Sequence, residues 1–475
     1  MRTVNPDPSG SKWLRLGYVK KNSLSVSYVT IASAKTTYFS LDQNRRLLGN
    51  VGLNDNDHLL REGPMAWHFK SITAQTGRRA NFGLTAHINP NDLHIHRPTK
   101  HVFFQGRNDD TTPDGHIHEF WSDGSDNWQH NDLTINTGAP LAASIAPSSY
   151  MFKGEGTKHV IYRDDNGRIF ELYWDGNWGH TELAPGHHNA PLTISAPFGY
   201  EYSFFDTIHR RHIISQRVVY VSGDNNNIHQ LFWPRAHGPD WDHTALTAVP
   251  VIDPGAPGGP SAPTAYVFAV YGQTVPGQAS QRVLCVGNND RMNDIGHIYD
   301  LTWNEVGPNN HSWQSNDLTV LYGAPLAGPE SQLIGLMHDL EFTLHVFYRG
   351  INQHLYELYW NDLGWHVNDL TAIMDAELGT GPFRPLPYVH LQQGTLNVNY
   401  FGADHHIHAL WREVGQAWNP ANQQDLIMAA PGAPPALGDP VGFVFRDLTQ
   451  NIFYIAEPTQ IGPFNTGDVI ELTDE

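Results

Sequence analysis

Tryptophan in this chain comes in pairs at a repeating interval. Twelve of its fourteen tryptophans form Trp121/Trp128, Trp174/Trp178, Trp233/Trp241, Trp303/Trp313, Trp360/Trp365 and Trp411/Trp418, and the second members are 50, 63, 72, 52 and 53 residues apart. A rare residue spaced this way marks a repeat architecture. That outranks the expectation, from length alone, that 475 residues make several domains.

Each pair sits in the same order of pieces. A β-branched and aromatic run comes first: HVFFQG at 101, HVIYRD at 159, RVVYVSG at 217, RVLCVG at 282, HVFYRG at 345 and NVNYFG at 397. An Asn/Asp/Gly turn leads to a second run, IHEFW, IFELYW, IHQLFW, IYDLTW, LYELYW or IHALW. Another turn, a Trp and a segment ending in NDLT or a relative follow, and several units close on Gly-Ala-Pro at 138–140, 255–257, 323–325 and 432–434. Alternating apolar residues with turn chemistry at each break argue strands. A further strand is expected ahead of each unit, as in SSYMF at 148 and AYVFAVYG at 265.

Four strands repeated at this period define a propeller blade. The expectation is an all-β chain folded as a single β-propeller of seven four-stranded blades, with six and eight as neighbouring counts. An N-terminal segment at 1–23 precedes a propeller domain at 24–475. Within it the sequence reads as a degenerate blade at 24–75, repeats at 82–142, 143–193, 194–250, 262–322, 328–376 and 383–430, and closing strands at 441–456. WHFKSITA around Trp67 matches WHVNDLTA at 365–372, so the ring is expected to close by pairing N- and C-terminal strands, which protects sheet edges.

A net charge of −19 with histidine neutral opposes a nucleic-acid or anionic-membrane partner. Cys285 is the only cysteine and can form no disulfide within the chain. No signal-peptide-like run opens the sequence and no apolar run is long enough to span a bilayer, so membrane insertion is not expected. The expected location is the cytoplasm as synthesised, with non-standard secretion left open.

Aligned, the second runs give a column of Glu119, Glu171, Gln230, Asp300, Glu357 and Ala409. The preceding runs open with His101, His159, Arg217, Arg282, His345 and Asn397. A carboxylate inside a propeller is costly unless paired, and each acid has its cationic or hydrogen-bonding partner on the adjacent strand. Such a pair can fix register, or it can form a notch for a polyhydroxylated ligand. The first Trp of each pair reads as packing; the second, beside a turn, reads as a ligand platform. The candidate carbohydrate-binding residues are His101, Glu119 and Trp128; His159, Glu171 and Trp178; Arg217, Gln230 and Trp241; Arg282, Asp300 and Trp313; and His345, Glu357 and Trp365.

NDLT reads as turn chemistry. The pairs His94/His96, His116/His118 and His406/His408 could each place two imidazoles on one strand face, but no third ligand stands at a motif spacing, so no metal or cofactor is expected. SDGSDNW at 122–128 does not fit the Asp-box spacing of sialidases, and no GxSxG, P-loop, HExxH or dinucleotide fingerprint is present. Acids dealt out one per blade favour binding over catalysis, since glycosidases need two carboxylates on one bond.

The repeat resembles the fungal fucose-specific lectins, six-bladed propellers whose blades share Arg-Val-Tyr-Tyr, a turn, Ile-x-Glu and Gly-Trp. The residues that carry the likeness are RVVYVSG/IHQLFW/DW, HVIYRD/IFELYW/NW and HVFYRG/LYELYW/GW, over 101–456. The resemblance implies sugar clefts between adjacent blades, with Arg and Glu on ring hydroxyls and aromatics on the apolar side. Arg stands only at Arg217 and Arg282, opposite Gln230 and Asp300, while Glu119, Glu171 and Glu357 face histidine. The function expected is non-catalytic, multivalent binding of glycans or glycoconjugates. A protein-interaction scaffold is the first alternative, and a polysaccharide hydrolase or lyase the second.

Overall fold

Alternating apolar residues and polar turns fold each repeat into a four-stranded antiparallel meander. In the computed structural model the described residues are 38–41, 47–51 and 66–474, apart from 93–96, 109–111, 126, 154, 187–188, 207–210, 225–226, 235–240, 247–263, 270–278, 290–293, 305–312, 329, 339, 362, 382, 446–448 and 459–464. Blade 2 sets the pattern: Ser148–Phe152, Thr157–Arg163, Ile169–Trp174 and Trp178–Ala184 pair in chain order. Blades 1, 3, 4, 5 and 6, at 80–132, 198–245, 264–317, 334–369 and 386–425, repeat that order.

Blade 7 is built from both ends of the chain. Val441–Phe445, Thr449–Ile455 and Val469–Asp474 are completed by Trp67–Ser71, with Phe69 opposite Leu472. The fold is therefore a propeller of seven four-stranded blades closed by N- and C-terminal strands, as the sequence leads one to expect. Val469–Asp474 is a strand beyond the closing strands at 441–456. Tyr38–Leu41 and Leu47–Val51 belong to a separate unit and pair as an antiparallel hairpin. The segment 1–23, the rest of the SLSVSYVT run that follows it, and His94/His96 lie outside the described residues.

The first strand of each blade touches the first strands of both neighbouring blades, from blade 1 round to blade 7 and back. These strands form the inner ring, where space is tightest. At Gly199 an added Cβ would lie 2.6 Å from the Tyr150 ring of blade 2, so only glycine fits that approach. The core is split into wedges between blades. Phe103, Ile117 and Leu133 of blade 1 pack on Val160, Tyr162 and Leu172 of blade 2, and Val102 and Phe104 pack on Val441 and Phe453 of blade 7. Both faces of a blade are thus buried, which explains the continuous apolar runs in the second strands.

NDLT becomes a one-turn helix rather than a plain turn. Asp132, Asp317, Asp369 and Asp425 cap the helices Leu133–Thr137, Leu318–Tyr322, Leu370–Met374 and Leu426–Ala429, each accepting an amide hydrogen bond, and Ser71 does the same for Ile72–Thr76. The leucine enters the core: Leu133, Leu318 and Leu370 are fully buried. The threonine hydroxyl accepts from a third-strand amide, that of Ile117, Ile298 or Leu355, at 2.8, 3.0 and 2.9 Å. His116, His297, His354 and His406, each just before that strand's Ile or Leu, contact the capping Asp at 3.3, 2.8, 2.8 and 2.6 Å. Tyrosines then latch the linkers: Tyr162, Tyr348 and Tyr454 donate to the carbonyls of Pro140, Pro325 and Pro434.

Trp67 is buried among blade 6 and 7 residues, and its Nε1 donates to Gln424 at 3.1 Å. Trp67→Ala should cost about 3–5 kcal/mol, the usual loss for a core tryptophan. Urea denaturation measures it, and a loss under about 1 kcal/mol would mean that this strand does not hold the ring closed.

Candidate functional site

The acid and cation columns meet as pairs, because both sit on one hairpin whose register is fixed by ladder hydrogen bonds. His101, His159 and His345 contact Glu119, Glu171 and Glu357 through Nδ1, each at 2.8 Å. Arg217 donates to Gln230 at 2.7 Å, and Arg282 donates to Asp300. The paired acids and histidines are buried: Glu119 and Glu357 are each 1% exposed. Behind each histidine stands a threonine two residues earlier. Thr99, Thr157 and Thr343 bond the Nε2 of His101, His159 and His345 at 2.7 Å.

The next blade supplies the remaining donors. Lys158 of blade 2 reaches Glu119 of blade 1 at 3.3 Å, and Asn131 of NDLT takes the other oxygen at 2.8 Å. Glu357 receives Asn368 at 2.7 Å from its own blade and Trp418 Nε1 at 2.8 Å from blade 6. Glu471 of blade 7, with Lys100 at 2.6 Å and Trp128 Nε1 at 3.0 Å from blade 1, repeats the arrangement across the closing seam. Other polar side chains bridge neighbouring blades without a carboxylate. Tyr150 donates to Gln216 at 3.0 Å, Arg217 to Gln281 at 3.0 Å, and Tyr388 to Gln450.

Electrostatics follow from these contacts. Burial pushes the Glu119 carboxyl up, but Lys158 and His101 outweigh it and hold the group far below the usual carboxylate range. Burial and Lys158 together lower the His101 pKa, against Glu119, which raises it. For Glu357, burial is likewise outweighed by His345 and Asn368. Burial pushes the Asp300 carboxyl up, against Arg282.

The two tryptophan sets differ from expectation. Trp128, Trp241 and Trp418 of the second set are buried, at 5–8% exposure, while Trp178, Trp313 and Trp365 are half-buried. Trp121, Trp174, Trp233, Trp303, Trp360 and Trp411 of the first set are all half-buried. The reason is position: the second Trp folds back over the preceding blade, whereas the first ends the third strand near a hairpin tip. Sequence reading missed Glu471, Lys100, Lys158 and Asn131. The VIELT run at 469–473 places Val469 two residues before Glu471, a β-branched variant of the Ile-x-Glu pattern, and was the available signal for Glu471.

Between blades 1 and 2 a cleft of about 250 Å³ opens on the hairpin face, lined by Asn89, Asp92, Glu155, Thr157, Trp174 and Asp175. Lys158 Nζ lies 4.8 Å from the Trp174 ring centroid, and Trp178 stands 5.7 Å away at a 56° tilt. Thr157 in this cleft is the hydroxyl that His159, and through it Glu171, holds in place.

No family model matches the chain, and no curated protein does. Among solved structures it is similar to a fungal lectin of Aleuria aurantia, a six-bladed propeller with a fucose recognition mode (15% identity, 66% of this chain, 87% of that one, TM-score 0.40). It is also similar to the BP39L lectin of Burkholderia pseudomallei (16%, 71% and 82%, TM-score 0.46) and to AofleA of Arthrobotrys oligospora (14%, 77% and 91%, TM-score 0.43). These neighbours include lectin propellers of the group the sequence resembles.

Two outcomes are expected. Glu119→Ala leaves Lys158 and Asn131 without their carboxylate and should cost about 3–5 kcal/mol in chemical denaturation. An unchanged midpoint would remove Glu119 from the seam. Burial, and then neighbouring His243, lower the His229 pKa to about 4 from 6.5. The unfolded chain then takes up the proton first, so stability is full above pH 6.5 and declines as pH falls towards 4, by roughly 2–3 kcal/mol for this group. His229→Tyr, the residue at this position in blades 4 and 5, should flatten that decline in urea midpoints. A pH dependence identical to the parent's would reject it.

Proposed function

We propose that the protein is a non-catalytic binding propeller that holds glycans or glycoconjugates in clefts between blades. The observation that supports this is the cleft between blades 1 and 2, where half-buried Trp174 stands beside Asn89, Asp92, Glu155 and Asp175. Carboxylates and a carboxamide accept from vicinal hydroxyls, and an indole offers an apolar face to the C–H side of a ring. At about 250 Å³ the cleft is smaller than sites for drug-sized ligands and suits a single sugar ring.

In this reading the repeated His–Glu pairs act from beneath. His159, oriented by Glu171, fixes the Thr157 hydroxyl that faces the ligand. The same Thr-x-His and Glu chain recurs at His101 and His345; Thr99 is fully buried, so Thr343 alone of these repeats the partly exposed hydroxyl, and a second such site would bind weakly and add avidity. A protein-interaction scaffold is a second reading, supported by apolar side chains exposed on the capping helices, among them Ile135, Val320 and Met428 at 66%, 63% and 72%.

Calorimetric titration with a panel of neutral monosaccharides tests the first reading. Binding with a Kd of about 1 mM is expected, and Trp174→Ala should weaken it roughly tenfold. Absence of heat with every sugar, or binding that Trp174→Ala leaves intact, would overturn the assignment. Partners captured in excess free sugar and lost on Ile135→Ser with Met428→Ser would favour the scaffold.

A further inference from the structure

The linker that joins the closing strand to blade 1 departs from the others. After their one-turn helices, blades 1, 4 and 6 run through Gly138-Ala139-Pro140, Gly323-Ala324-Pro325 and Gly432-Ala433-Pro434, and a tyrosine hydroxyl of the following blade donates to the proline carbonyl. At the closing seam the sequence is Gly77-Arg78-Arg79, and the residue in the tyrosine position is Phe104, which has no hydroxyl. The latch is gone and two guanidinium groups stand in its place.

They border a cleft of about 420 Å³. Its lining brings together Arg78 and Arg79 from the N-terminal side, Arg107 and Asn108 from blade 1, and Asn465 and Asp468 from the C-terminal side. Arg79 lies 3.3 Å from Asp468, and Arg78 donates to Asp114 at 2.7 Å. Arg78 Nε is buried and has no hydrogen-bond partner. Among the described residues three guanidinium groups stand against two carboxylates, Asp468 in the lining and Asp114 behind Arg78, an excess of one positive group in a chain whose net charge is −19. Arginine presents a planar fork that matches the oxygens of phosphate, sulfate or carboxylate.

We propose that this cleft binds an oxyanion, free as phosphate or carried as the carboxylate of an acidic sugar. Arg78, Arg79 and Arg107 hold the anion, and Asn108 and Asn465 offer carboxamide donors. Because these residues come from both ends of the chain and from blade 1, an anion bound here fastens the seam that closes the ring. The site stands apart from the cleft at Trp174 and does not depend on the sugar reading.

The test is thermal unfolding and calorimetry of the full chain with inorganic phosphate, with glucuronate, and with sodium chloride at matched ionic strength. Phosphate should raise the melting temperature above the chloride control. The double variant Arg78→Gln/Arg79→Gln should lose roughly tenfold or more in affinity, as expected for losing charge-assisted hydrogen bonds. A response to phosphate but not glucuronate assigns a free anion, and a response to glucuronate extends the site to acidic sugars. Neutral glucose should leave this cleft unaffected, which separates it from failure or success at Trp174. If neither anion exceeds chloride, or if the double variant, folded by circular dichroism, binds as tightly as the parent, the proposal fails.

Discussion

The ring depends on a carboxylate that is buried at the seam between two blades and served from both. Glu119 takes His101 and Asn131 from its own blade and Lys158 from the next. A buried charge left alone is expensive, so such a group is tolerated only when its oxygens are filled with good geometry. Filling them fixes three things together: the hairpin register, the docking of the outer strand, and the position of the following blade. Glu471 accepts Lys100 and Trp128, so the same bond that joins sequential blades also joins the last blade to the first.

Around that group the repeat motif divides its labour. In NDLT the Asn serves the carboxylate, the Asp caps a helical turn and takes a histidine, the Leu fills the wedge, and the Thr ties down the third strand. Four residues thereby connect the seam, the capping face and the core. Apolar wedges supply the bulk of the driving force, while the polar contacts decide which blade face meets which. The neutral bridges from blades 2 and 6, Tyr150 to Gln216 and Tyr388 to Gln450, join neighbouring blades without a charge.

These contacts bear on binding. The acids that a sequence comparison would place on sugar hydroxyls have their hydrogen bonds taken up inside the protein. The cleft between blades 1 and 2 is lined instead by other groups: Thr157 held by His159, half-buried Trp174, and acids such as Asp92 and Asp175. The closing seam differs again, since arginines replace the proline latch there.

Most of the fold was legible because it is written locally and then repeated. β-branched and aromatic runs such as HVIYRD and IFELYW specify strands, and two strands joined by a short turn leave His159 and Glu171 little choice but to meet. The third strand of blade 7 was less legible, because VIELT lacks the tryptophan that marks the other units. Exposure of the tryptophans was not legible at all: Trp128 reaches Glu471 across 343 residues of chain, and only ring curvature brings them together. The sequence by itself determined the strands, the blade repeat, the within-blade pairs and the ring closure. Tertiary structure alone decided which tryptophans are covered, which donors cross each seam, and where clefts remain, because those depend on how one blade lies against the next.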